Sequence, residues 1–131
     1  MEQMDIYVTL SFDAAHRLPC VPEGHKCGNL HGHTFQVEVH VSGEVEEASG
    51  WVLDFGDIKE TAKPVIARLD HAYLNDIEGL ENPTSENIAR WLWPQLKSRL
   101  PALSCLVVRE TPTSGAVFRG EGRGEGRGGK G

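Results

Sequence analysis

The stretch Ile6–His16, IYVTLSFDAAH, decides how this chain folds. Its even positions Ile6, Val8, Leu10, Phe12 and Ala14 are apolar, while Thr9, Ser11 and Asp13 between them are polar. That is the period-two pattern of a strand with one covered face. His16 continues the apolar phase. A second run repeats it: Phe35, Val37, Val39 and Val41 alternate with Thr34, Gln36, Glu38 and His40, and His31 and His33 precede them in the apolar phase. His16, His31 and His33 are therefore expected on the covered face of a sheet, and His40 on the other.

Further along, the period changes from two to between three and four. Phe55, Ile58, Ala62, Val65, Ile66 and Leu69 form one apolar stripe, with Pro64 inside it expected to kink the helix or mark its true start. A second helix is expected from the stretch Asn82-Pro-Thr-Ser-Glu86, where Asn82 or Thr84 can cap and Pro83 suits a first turn. Ile88, Leu92 and Leu96 line its core face, Pro101 stops it, and Trp91 and Trp93 read as packing residues. Alternation returns in Leu103–Thr111, and Gly115–Arg119 supplies a short last strand. The order strand, strand, helix, helix, strand, strand predicts an α+β domain: a four-stranded antiparallel sheet with two helices on one face.

Composition bounds the rest. A chain of 131 residues supports one domain, burying roughly two-thirds of the surface its unfolded form exposes. The domain is expected over residues 1–120. Residues 121–131, EGRGEGRGGKG, carry no apolar side chain and are expected to form a flexible tail. A formal net charge of -6 and a pI near 5.5 argue against a nucleic-acid partner. No apolar run is long enough to span a bilayer, and the start MEQMDIYVTL lacks the basic residues and cleavage site of a secretory signal, so a cytoplasmic protein is expected. Cys20, Cys27 and Cys105 are an odd number and indicate no disulfide framework.

The three in-phase histidines point to a metal. Residues i and i+2 on one strand face lie about 7 Å apart, close enough for two imidazoles to converge on one ion. With His16 from the neighbouring strand, His31 and His33 make a three-histidine set that leaves the fourth position of zinc open, as catalytic sites do. Two alternatives stay open at this point: a fortuitous histidine pair, and a closed four-ligand site that includes Cys27. Glu110 stands in an apolar phase with Leu106 and Val108, so it is either salt-bridged or waiting for a cationic or amide-bearing ligand. Asp13, Asp54 and Asp57 read as turn or cap residues, and Cys20 and Cys105 as inert thiols. His25 and Lys26 flank Cys27, where they could meet an anionic substrate group or simply face solvent.

The segments FDAAHRL, PEGHKCGNLHGH, LDHAYLND, NPTSEN and RETPTSG, in this order, resemble the 6-pyruvoyltetrahydropterin synthase family over residues 4 to 121. The three-residue gap between Cys27 and His31 resembles its 6-carboxytetrahydropterin synthase branch, of queuosine biosynthesis. The resemblance implies the tunnelling fold (T-fold), whose subunits join edge to edge into a barrel, and a trimer-based homo-oligomer, expected as a hexamer. It implies zinc on His16, His31 and His33, with Cys27 as proton acceptor outside the metal shell. Asp70 and His71 match a relay pair that activates the thiol, Glu110 matches the acid that anchors the pterin ring, and Thr84, Ser85 and Glu86 match a stretch that helps hold it. The implied reaction converts 7,8-dihydroneopterin triphosphate to 6-carboxytetrahydropterin, acetaldehyde and triphosphate. The biopterin-forming elimination on the same site is the nearer alternative, and a non-enzymatic zinc-stapled module the more distant one.

Overall fold

The computed structural model describes residues 2–120; the expected tail, residues 121–131, lies outside the described residues. The first two alternating runs form β1 (Gln3–His16) and β2 (His31–Glu44), paired antiparallel along their whole length, with Ala14 opposite His33 and His16 opposite His31. β2 pairs with β4 (Leu103–Thr111), and β4 with β5 (Ser114–Phe118). As the period-two reading requires, Val8, Phe12, Ala14, Phe35, Val37, Val39 and Val41 are all buried.

The sheet has five strands rather than the expected four. Its order is β3-β1-β2-β4-β5, and the extra member, β3 (Ala72–Tyr73), runs parallel to Ala14–Ala15 at the edge of β1. A two-residue strand has no periodicity to show in a sequence. The crossover that a parallel pair requires is supplied by β2 and the helix after it, which the element order alone did not suggest.

Two helices cover one face. α1 (Phe55–Ala67) is capped by Asp54, whose carboxylate accepts from Gly56 N at 2.8 Å, and it buries Ile58, Ala62, Val65 and Ile66. It runs through Pro64, which neither starts nor ends it; a proline forfeits one hydrogen bond of its own, and the apolar stripe is buried on both sides of it. α2 (Ser85–Arg99) is capped by Thr84, whose hydroxyl accepts from Asn87 N at 3.1 Å, and it buries Ile88, Ala89, Leu92 and Leu96 against β4. Trp91 and Trp93 pack against the core as expected, Trp93 edge-to-face on Phe118 with ring centroids 5.4 Å apart.

Among the described residues, the other sheet face carries no helix. His40 lies there, stacked on Tyr7 at 4.9 Å and hydrogen-bonded to Glu38 at 2.9 Å, and Arg109 closes an ion pair on the same Glu38. Among the described residues, the outer edge of β1 has no strand partner beyond Ala14–Ala15, and neither has the outer edge of β5.

Candidate active site

β1 and β2 end together, and that shared end gathers the histidines. The parity of both strands puts His16, His31 and His33 on the covered face, with ring centroids 4.6 to 5.2 Å apart. His16 is fully buried. Its Nδ1 lies 2.9 Å from Pro83 O, and because a carbonyl only accepts, Nδ1 must carry the proton. His31 Nδ1 donates to Asn29 O at 2.6 Å in the same way. Each ring is thus fixed in the tautomer that leaves Nε2 with a free lone pair, the arrangement that orients imidazole ligands toward a metal.

Two of the ring nitrogens find no partner among the described residues. His16 Nε2 and His33 Nε2 are buried without a hydrogen-bond partner, a costly state for polar atoms. The Glu110 carboxylate, brought in by the end of β4, stands 3.9 Å from His16 Nε2 and 3.4 Å from His33 Nε2. One ligand atom from each of His16, His31, His33 and Glu110 lies within 4.8 Å of the others, so the four can surround one ion. Buried, unpartnered imidazole nitrogens facing a carboxylate are the chemistry of a divalent-cation site, and imidazole nitrogen with carboxylate oxygen suits zinc. Burial pushes the His16 pKa down, with the Pro83 hydrogen bond and the Glu110 charge opposing it, so the ring is held neutral and ready to ligate.

Cys27 is not in this group. It sits half-buried in a 3-10 turn, Lys26–Gly28, with its backbone N–H bonded to His25 Nδ1 at 3.0 Å. The fourth potential ligand is Glu110, so the geometry does not reproduce a closed site of Cys27 with three histidines. By accepting that bond from Cys27 N, the His25 ring holds the turn.

A second cluster joins Asp13, Asp70 and His71. Asp70 accepts from Asp13 N at 3.0 Å and pairs with His71 Nδ1 at 3.0 Å, while His71 N donates to Asp13 O. The Asp13 hydrogen bond, aided by His71, holds the Asp70 pKa low, so the carboxylate stays ionised beside the imidazole. His71 has φ +59°, uncommon for a bulky residue, and its side chain is 80% exposed. Asp13 also accepts from Thr34 Oγ1. Asp13 is thus not a turn residue but the strand position on which the Asp70–His71 pair is mounted. An aspartate in mid-strand is disfavoured, and that was the signal available in the sequence.

Of the residues expected to hold a pterin, Ser85 and Glu86 line a small cavity of about 190 Å³ together with Glu110 and Gly115. A Cβ on Gly115 would come within 2.6 Å of Val108 O, so only glycine fits this wall. Thr84 is absent from that lining, and its hydroxyl is engaged as the α2 cap.

Comparison with known proteins then decides the family: the model of the family described as 6-pyruvoyl tetrahydropterin synthase matches residues 5–121. The chain belongs to this family. A Synechocystis relative named 6-carboxy-5,6,7,8-tetrahydropterin synthase is 44% identical over 119 residues, covering 86% of this chain and 91% of its own. A Pyrococcus furiosus relative named dihydroneopterin monophosphate aldolase is 43% identical over 91 residues, covering 70% and 73%. The Caenorhabditis elegans 6-pyruvoyl tetrahydropterin synthase structure superposes with a TM-score of 0.82 at 31% identity, covering 92% of this chain and 98% of that one. The fold is accordingly the family's T-fold, α+β with two helices on one face, its five-stranded sheet left open at both edges among the described residues.

Proposed function

We propose that this protein is a zinc-dependent 6-carboxy-5,6,7,8-tetrahydropterin synthase, a lyase of queuosine biosynthesis acting on 7,8-dihydroneopterin triphosphate. The observation that carries this reading is the set of His16, His31 and His33, two of whose Nε2 atoms are buried and unpartnered, facing Glu110. The Synechocystis relative's name and its 91% coverage support the product, a 6-carboxytetrahydropterin.

His16, His31 and His33 would hold the zinc, which when bound supplies Lewis acidity to substrate oxygens and so acidifies the neighbouring C–H bonds. Cys27 accepts the proton. A free thiol is only a few per cent ionised at neutral pH, so it needs a base, and the Asp70–His71 pair is that base. Asp70 orients His71 through Nδ1 and stabilises the imidazolium that forms. Glu110 accepts hydrogen bonds from the amino group and ring N–H of the pterin, with Ser85 and Glu86 at the same cavity. Thr84 contributes by capping the helix that presents them.

The two clusters stand on opposite sides of the sheet, since Asp13 and Thr34 occupy the polar phase and the three histidines the apolar one. This favours a site completed between copies, with open edges closing into a trimer-based homo-oligomer, a hexamer by stacking. Among the described residues no helix is long and apolar enough to cross a membrane, and a cytoplasmic location is proposed.

A second reading comes from the Pyrococcus relative, whose name specifies a monophosphate and an aldol cleavage. Incubation of the zinc-loaded protein with the triphosphate and the monophosphate of dihydroneopterin separates the readings. Acetaldehyde and 6-carboxytetrahydropterin from the triphosphate support the synthase. Cleavage of the monophosphate alone favours the aldolase, and a 6-pyruvoyl product without acetaldehyde favours the biopterin-type elimination.

A further inference from the structure

β1 ends at His16, and the chain must leave the sheet there without letting that imidazole drift. The parallel register pairs Ala14 with Ala72 and Ala15 with Tyr73. Two residues further on, the same register sets Arg17 beside Asn75, which has already turned into the 3-10 segment Leu74–Asp76. The backbone ladder has stopped. The Asn75 carboxamide continues it: Oδ1 accepts from Arg17 N at 2.9 Å and Nδ2 donates to Arg17 O at 2.7 Å. Nδ2 also donates to Glu81 O at 3.3 Å, in the loop before α2.

Both halves of the chemistry hang from this joint. His16, one residue before Arg17, donates to Pro83 O, two residues after Glu81. Leu18, one residue after Arg17, donates to Cys27 O at 2.9 Å and so holds the turn that bears the thiol. We propose that Asn75 is a positioning residue for the metal centre: its carboxamide fixes the His16 backbone relative to the Pro83 carbonyl that orients the ring, and anchors the Cys27 turn at the same point. The inference rests on the zinc reading above. Asn75 touches no ligand atom itself. It acts through hydrogen-bonded partners of a ligand, whose loss usually weakens metal binding about 10- to 100-fold.

The experiment uses the full chain loaded with zinc, and separately with cobalt. Zinc release into excess chelator and the cobalt ligand-field spectrum are recorded for wild type, Asn75→Ala, Asn75→Asp and Ile58→Val, with thermal melting of each. Asn75→Ala loses all three bonds and is expected to release zinc about 10- to 100-fold faster, with altered cobalt bands. Asn75→Asp keeps an acceptor for Arg17 N, loses both donations, and should shift both readouts less; it carries the test if the alanine variant does not fold. Ile58→Val destabilises the core beneath α1, away from the joint, and should move melting alone. Wild-type release and spectra in the folded Asn75 variants would overturn the inference, as would equally fast release from Ile58→Val. If wild type and His31→Ala bind zinc equally poorly, the zinc reading itself fails and takes this inference with it, a failure visible before any Asn75 variant is compared.

Discussion

The two titratable clusters of this chain differ in every respect that decides chemistry. The His16, His31, His33 and Glu110 group is on the covered face, with the His16 and His31 imidazoles tautomerically fixed and two nitrogens left unpartnered among the described residues. The Asp13, Asp70 and His71 group lies in solvent, its backbone and side-chain polar atoms tied to one another. A buried lone pair with no partner is unfavourable unless a cation supplies one. An exposed, hydrogen-bonded imidazole with an ionised carboxylate behind it can take up and release a proton at little cost. On the proposed reading the first cluster holds an ion and the second moves a proton, and Cys27 belongs to neither.

The comparison breaks most visibly at its two extremes. His31→Ala should lose zinc and turnover together, while Cys27→Ala should lose turnover and keep near-stoichiometric zinc by metal analysis. Loss of zinc from the cysteine variant would return the thiol to the metal shell. His71→Asn should retain zinc and lower kcat by about 10²- to 10⁴-fold, the usual worth of a general base, measured by steady-state product formation. Glu110→Gln comes next. Glutamine replaces one acceptor by a donor in a partly enclosed cavity, so pterin affinity by calorimetry should fall by roughly 30-fold to several hundred-fold with zinc intact, reflecting about 2 to 4 kcal/mol. Equal affinity would leave Glu110 as a partner of the histidines rather than an anchor.

The smallest effect concerns pH. Burial lowers the His16 pKa from its ordinary 6.5, so between the lowered value and 6.5 the unfolded chain binds more protons than the folded one. This part of the stability of the metal-free protein is complete above pH 6.5 and is lost as pH falls through that window. Urea midpoints measured at about pH 7.5 and 5.5 should fall more for metal-free wild type than for His16→Gln. Asp70 titrates lower: its stabilisation is present above 3.8 and disappears only in more acidic solution, and exposure keeps it small.

Much of the covered face was legible because burial enforces period two: the phase of Ile6–His16 and of His31–Val41 placed three histidines and the apolar core correctly. Local chemistry also showed, since Asp54 and Thr84 cap the helices they precede. The rest depends on distant pairings that leave no periodic trace. β3 is two residues long, and the mounting of Asp70 and His71 on Asp13 spans 57 residues. Asn75 grips Arg17 across 58. The position of Glu110 beside the histidines follows from the β2–β4 register, which alternation alone does not specify.

The central claim is that one chain carries a metal half-site on one sheet face and a proton-relay half-site on the other, joined between copies. Subunit mixing tests it most directly. Cys27→Ala and His71→Asn, each inactive alone, are unfolded together, refolded as a mixture and assayed for acetaldehyde release from dihydroneopterin triphosphate. Random assembly should restore activity at about one quarter of the sites, because a thiol from one variant meets a relay from the other. A mixture that assembles as oligomers and stays as inactive as its parents would contradict the claim and place the complete site within a single chain.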